Sequence, residues 1–406
     1  MNLLKLSWSN LKAKPLSTFL SLLLFTMGVS IISLLLLLNT QLQEKFEKNI
    51  KGIDMVVGAK GSPLQLILSS IYHIDNPTGN IDKQEADALA RHPLVAQGIP
   101  LAYGDSYQSF RIVGTAHAYV DHYGGALAEG KLYDDDYEVV LGSYVASQLG
   151  LSVGDHFYSI HGFNAEMGHS HEENAYEVVG ILAPSHSVLD QLILSSVESI
   201  WKTHAHAEEE AEGENEAHLE EEHAEPQEIT ALLLRFRNPM AAIQLPRLVN
   251  ETTNMQAALP AIEITRLYSL LGVGIDLMRS VAIVIIIISG ISIFISLYHS
   301  LNERRYELAL MRSLGASRWK LFGMILFEGL LLAVLGYLFG MVLSRAGLFL
   351  LSGAMENTYR YSFDRFGVLT EEIGLLGVAL LIGCLAALIP AISAYRTHIS
   401  RTLSYA

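Results

Sequence analysis

The chain has 406 residues, half of them hydrophobic and 17% charged, and its mean hydropathy is positive. That balance excludes a large soluble enzyme and argues for a membrane protein of two or three domains, while a net charge of −15 argues against nucleic acid as a partner. The single cysteine, Cys384, lies in an apolar run, so no disulfide forms within the chain and any part outside the cytoplasm is held by its own core.

Residues 1–15 form the first segment. Leu4, Trp8 and Leu11 share helical spacing, with Lys5 and Lys12 on a neighbouring face. This is either a helix lying on the membrane surface or the charged flank of the helix that follows. Leu16–Leu38 carries no charge over 23 residues. As a helix it would reach about 35 Å, against roughly 30 Å of hydrocarbon, which sets the first span within 16–40. The stretch NTQLQEKFEKN after it has no small-residue cleavage site, so the span is expected to stay as an anchor.

A long polar region, 41–276, comes next. Three further apolar runs follow it: Val281–Leu301 (span 277–301), Leu321–Leu351 and Ile373–Tyr395. Four spans put both termini on one side, and the positive-inside rule says which. Lys5, Lys12 and Lys14 have no acidic neighbours before the first span. The 302–320 segment is net +3 over Glu303–Lys320, and the 396–406 tail carries Arg396 and Arg401. Residues 41–276 hold 35 acids against 13 Lys and Arg, a net of −22. The 352–372 loop has four acids against Arg360 and Arg365, with Tyr359, Tyr361, Phe363 and Phe366 suited to an interface. The expectation is a multi-pass protein of a bacterial inner membrane, with cytoplasmic termini and its large domain outside.

The outer region mixes element types. Asp54–Val57 reads as a buried strand and Gly58–Pro63 as a turn, after which Leu64, Ile67, Leu68 and Ile71 mark a helix. Ile81–Ala90 reads as helix, Phe110–Val113 and Tyr137–Leu141 as strands, and Ser143–Leu149 as a short helix before the turn at 150–155. Tyr176–Leu182 is a strand, Val188–His204 largely helix, Thr230–Phe236 a returning strand and Met240–Thr252 a helix. The fold class expected is four transmembrane helices plus a large extracytoplasmic α+β domain between the first and second spans, in one or two lobes. Within it, Ala205–Glu228 holds eleven glutamates and no basic residue, which predicts a solvated, disordered insert.

No phosphate-cradling Gly-x-x-x-x-Gly-Lys-Ser/Thr occurs, and Gly58-Ala59-Lys60-Gly61 resembles one only superficially. Gly-x-Ser-x-Gly and His-Glu-x-x-His are absent too, so no catalytic residue and no bound cofactor is assigned. Thirteen of the fifteen histidines lie in the outer region, where His169 and His171 form one cluster and His204, His206, His218 and His223 accompany the acidic insert. Imidazole with carboxylate suits zinc, copper or nickel, and such tracts bind metal weakly. The alternative is a solubilising linker whose histidines are incidental.

Glu328 falls one or two turns inside the third span. Intramembrane carboxylates are costly and commonly functional or paired, but its place near the cytoplasmic end favours a group reaching water or a loop arginine. Arg345, near the outer end of that span, is expected to snorkel, and Pro390 to kink the last span.

The segment Glu303–Lys320, ERRYELALMRSLGASRWK, is the most informative stretch. At about 100° per residue, Arg304, Arg305, Leu308 and Arg312 fall on one arc of a helix, with Leu310, Met311, Leu314 and Glu307 on the other side. Gly315 ends this helix, Ser317 can cap the next, and Trp319 suits an interface. Spacing alone leaves open whether the loop fixes topology or couples the spans to a separate machine.

Its pattern Arg305-x-Glu307-x-Ala309-x-Met311-Arg312-x-Leu314-Gly315-Ala316-Ser317 resembles the signature of FtsX/MacB/LolC-type ABC transporter permeases. So do the order of one span, a large outer domain and three spans, the motifs EVVLGS (138–143), LGLSVGD (149–155) and YEVVGI (176–181), and the ending Pro390-Ala391-x-x-Ala394-x-Arg396. The family often has proline where His398-Ile399 stands, and the His/Glu insert is outside its pattern. The resemblance implies that Arg304, Arg305, Glu307, Leu308, Arg312, Gly315, Ala316 and Ser317 meet a cytoplasmic ABC ATPase, which would carry the ATP and magnesium. Four spans are few for a transport path, so a second permease copy, identical or related, is expected. The resemblance further implies mechanotransmission to a periplasmic or outer-leaflet cargo such as a lipoprotein, peptide or small amphiphile. Two alternatives are an FtsX-like switch acting on a periplasmic partner such as a cell-wall hydrolase, and a zinc-linked transport system.

Overall fold

A computed structural model describes residues 15–159, 175–203, 227–359, 367 and 369–396. In chain order its elements begin with α1 (Pro15–Ile50), β1 (Met55–Ala59), α2 (Pro63–Ser70), β2 (Ile81–Asp82), α3 (Lys83–Ala90), β3 (Val95–Tyr107) and β4 (Phe110–Thr115). Next come α4 (His117–His122), β5 (Leu127–Gly130), β6 (Glu138–Leu141), α5 (Ser143–Leu149), β7 (His156–Phe157), β8 (Tyr176–Leu182), β9 (Ile193–Ser195) and α6 (197–203). The remainder are β10 (Glu228–Ile229), β11 (Ala231–Phe236), α7 (Ala241–Thr252), β12 (Met255–Ala258), α8 (Pro260–Glu303), α9 (Arg305–Ser313), α10 (Arg318–Tyr359) and α11 (Thr370–Tyr395). The chain divides into two compact units: Glu44–Ser269, and the segments on either side of it.

Glu44–Ser269 is built on a mixed sheet with strand order β12-β1-β11-β3-β4-β9-β6-β8-β5, β7 pairing with β8, and a separate β10-β2 pair. Its pairs are antiparallel except β4–β9 and β6–β8. Alternation along β1 sends Met55 and Val57 to the face covered by α3 and α7, and Val56 to the face covered by α2 and α4. Helix starts follow local chemistry. Ser62 accepts from the Gln65 amide ahead of Pro63, and Asp82 accepts from Gln84 and Glu85 at 2.7 and 3.0 Å. Under α2 and α4, His73 bonds the Tyr119 hydroxyl through Nε2 at 2.9 Å and the Tyr103 hydroxyl through Nδ1 at 2.8 Å. The Arg111 guanidinium lies 4.5 Å above the Tyr103 ring.

Three sequence expectations change here. β3, the 13-residue strand between β11 and β4, fills a stretch to which the sequence assigns no element, since Gly98, Pro100 and Gly104 interrupt its alternation. Ile81–Asp82 is a strand rather than the first turn of a helix. Val188–His204 is not one helix either: a 3₁₀ turn at Val188–Gln191 leads into β9, whose Ile193 and Leu194 pair with β4 and β6.

Among the described residues four helices are long and apolar enough to cross a membrane: Pro15–Ile50, Pro260–Glu303, Arg318–Ser352 and Thr370–Tyr395. Three extend well past the apolar runs that marked them, α1 to Ile50, α8 back to Pro260 and α10 to Tyr359. Their common core contains Phe25 and Val29 of α1, Ile293 and Leu297 of α8, Leu332 and Ala333 of α10, and Ala379 and Ala387 of α11. Hydroxyl pairs run antiparallel between α1 and α8, Ser17 to Ser296 and Ser21 to Ser292, each 2.9 Å. α1 and α10 run parallel, since Val29 packs on Gly340 and Ser33 meets Ser344 at 2.9 Å. α10 and α11 approach closely, and a Cβ on Gly329 would lie 2.8 Å from the Gly383 carbonyl oxygen. Small residues at such crossings let membrane helices gain dispersion energy where no hydrophobic drive exists between them.

Candidate functional site

α9 is a two-and-a-half-turn helix set between α8 and α10. Leu308 and Ala309 are buried, and Leu308 packs with Leu301 of α8, Leu321, Met324 and Ile325 of α10, and Ala391 and Ala394 of α11, with half-buried Met311 against the same cluster. The helix ends as its composition predicts. Gly315 takes φ +96°, its amide donates to the Arg312 carbonyl at 3.1 Å, and the Ala316 amide reaches Met311 at 3.0 Å. Ser317 Oγ then accepts from the Lys320 amide at 3.3 Å, capping α10. Trp319 meets Tyr395 edge-on, ring centroids 5.2 Å apart, and the Arg318 guanidinium lies 5.9 Å over the same ring, tying the start of α10 to the end of α11.

This packing redistributes the expected basic arc. Arg304 and Arg312 are half-buried beside Leu308, while Arg305 stays exposed. The face turned away from the core carries Tyr306, Glu307, Leu310, Ser313 and Leu314, with Leu314 81% exposed and Leu310 45%. The segment therefore presents an apolar and acidic face edged by Arg305, rather than a basic one. Ala316 is half-buried, and Gly315 and Ser317 are exposed. Sequence reasoning set Leu310 and Leu314 aside and did not single out Tyr306. The exposure of two leucines on a charged segment was the signal available.

Glu328 does not reach water: it is 2% exposed and already engaged by a polar partner. It follows the start of α10 by nearly three turns, next to the tight α10–α11 crossing at Gly329. Arg345 does not snorkel either. Its guanidinium forms a two-pronged pair with Glu372 of α11, one contact 2.6 Å, and also reaches the Gly367 carbonyl at 2.7 Å and Ser33 of α1 at 3.1 Å. Ser33 donates to the same carboxylate at 2.5 Å, the Leu369 amide at 3.0 Å, and Tyr337 to the Glu372 carbonyl at 3.1 Å. Glu372, expected in the 352–372 loop, is fully buried in the first turn of α11. One carboxylate thus joins three helices.

The histidines His169, His171, His204, His206, His218 and His223, and the acidic insert, lie outside the described residues. Among the described residues no group of three His, Cys, Asp or Glu side chains is placed to hold a metal.

Comparison with known proteins adds the following. Residues 18–233 match the MacB-like periplasmic core domain, and residues 279–399 match the FtsX-like permease C-terminal family. The solved periplasmic region of MacB from Actinobacillus actinomycetemcomitans is similar at 12% identity and a TM-score of 0.35, covering 55% of this chain and 97% of that one. The extracellular domain of the noncanonic ABC-type transporter YknZ from Gram-positive bacteria is similar at 11% identity and 0.29, covering 50% and 98%. No curated protein sequence matches.

Proposed function

The chain belongs to the family with a MacB-like periplasmic core domain, joined here to an FtsX-like permease region, and from that premise we propose that α9 is where a separate ATPase drives it. The family makes it an ABC transporter-type membrane subunit, multi-pass, with an extracytoplasmic domain. The observation that carries the proposal is the outward face of α9. Tyr306, Glu307, Leu310 and Leu314 are exposed on a helix whose opposite side is locked into α8, α10 and α11. A partner that pushed on this face would move three helices together, because Leu308 and Met311 tie α9 into their shared cluster.

In this reading the segment and both termini are cytoplasmic, in a bacterial inner membrane. The ATPase holds ATP and magnesium, and a second permease copy completes the assembly. Closure of the ATPase pair rearranges the outer domains, which act on a periplasmic or outer-leaflet cargo such as a lipoprotein, peptide or amphiphile. The charge asymmetry between Glu303–Lys320 and residues 41–276 supports the orientation.

Co-purification with the ATPase from membranes tests the coupling. Leu310→Asp with Leu314→Asp, and separately Arg304, Arg305 and Arg312 to Glu, are expected to cut ATPase recovery about tenfold, the scale of one lost anchor contact, while insertion is unchanged. Undiminished recovery in both variants would overturn the proposal.

A further inference from the structure

The Glu44–Ser269 unit sits in a strongly acidic stretch, yet one of its clefts is basic. About 590 Å³ in volume, it is lined by Lys48 and Lys51 at the end of α1, Arg235 of β11, Gln97 of β3, and Asp121 and His122 of α4. Three cations, two from one segment and Arg235 from nearly two hundred residues further on, face a single carboxylate there, inside a region whose net charge is −22. Among the described residues none of the three is ion-paired: Lys48 donates to the Ser185 carbonyl at 2.8 Å, and Lys51 and Arg235 remain exposed. Clustered like charges repel one another, and a bound anion relieves that repulsion.

His122 forms part of the wall that holds Lys51 and Arg235 in place. Its Nε2 is shielded from solvent and has no hydrogen-bond partner among the described residues. The ring lies across Gly52, whose φ of +83° and missing side chain give it room; a Cβ there would stand 3.0 Å from His122 Cε1. Burial, and then the nearby Arg235 charge, hold the imidazole below its ordinary pKa. A backbone hydrogen bond to Lys51 ties the ring to the chain segment that carries one of the three cations. Gln97 adds an amide donor. The volume suits a small molecule or a headgroup, and forked guanidinium and ammonium donors suit phosphate oxygens.

We propose that this cleft binds a phosphate-bearing ligand, with Lys51 and Arg235 as the main charge contacts, Lys48 as support, and the Gln97 amide as a further donor. Free phosphate and a phospholipid headgroup share this chemistry. The proposal is independent of the coupling role of α9.

The test uses the full chain in detergent, titrated calorimetrically with inorganic phosphate and with a short-chain phosphatidylglycerol below its micelle concentration. Saturable binding of either probe is expected, weakened about tenfold or more by Lys51→Ala with Arg235→Ala and unchanged by the distant control Lys60→Ala. Phosphate binding alone identifies a free anion as the ligand, and phosphatidylglycerol binding alone identifies a headgroup. Both cleft residues are exposed, so unaltered melting of the variant confirms that it folds. Absence of saturable binding by both probes, or binding that the double variant leaves intact, overturns the proposal.

Discussion

His73 shows how one side chain can set a condition for stability. It occupies the left-handed region at φ +54° and is enclosed by Tyr103, Tyr119 and the Arg111 charge. Burial first, and Arg111 second, hold its pKa well below 6.5, so the native ring stays neutral. The unfolded chain takes up a proton at this residue below about pH 6.5. A depressed native pKa therefore contributes stability that is full above about 6.5 and lost as pH falls below it. The slope is up to about 1.4 kcal/mol per pH unit until the native pKa is reached. Thermal unfolding between pH 7.5 and 5.5 should show this loss, and His73→Gln should flatten it. An equal pH slope in the variant would contradict the account. Nothing in the sequence around His73 announced the cluster, since its partners lie 30 and 46 positions away on β3 and α4. Residues with local duties were legible: Gly315 and Ser317 end and cap their helices as their types require.

Among the elements, the spans were the most legible, because an uninterrupted apolar run has one physical explanation at that length. Their ends were less so. α1 and α8 continue as helix into polar sequence, where hydropathy no longer marks them. β3 was hidden by its own Gly and Pro residues, which the ladders to β11 and β4 override. The Arg345–Glu372–Ser33 junction was misread for a similar reason: a lone arginine near a span end and a glutamate in an expected loop each have a solvated explanation, and only packing brings them together. Removing one partner leaves a buried charge uncompensated, at a cost of about 3 kcal/mol or more, whereas replacing both with apolar groups costs less. Arg345→Met and Glu372→Met should each lower the melting temperature, and the double variant should recover part of the loss. Strict additivity of the two single effects would show that the junction does not couple α1, α10 and α11.

At the scale of the whole molecule, the two sequence regions divide their labour by composition. The acidic, mixed-sheet region carries a core of its own on both sheet faces without a disulfide. The helical region carries shared serines, small residues and the buried Arg345–Glu372 ion pair. Family membership accounts for this pairing of parts, and the missing phosphate-cradling loop is what makes an ATPase partner part of the proposal. The helix at 305–313 was legible in the chain, but which of its faces is buried was not, because a helical wheel gives relative angles and not which angle meets the neighbours. That distinction makes the central claim testable position by position. With the ATPase co-expressed in native membranes, a photo-reactive residue at position 310 or 314 should crosslink to the ATPase, and one at 308 should crosslink only within the permease. Crosslinking to the ATPase from 308, or none from 310 and 314 while the ATPase still co-purifies, would contradict α9 as the driven contact.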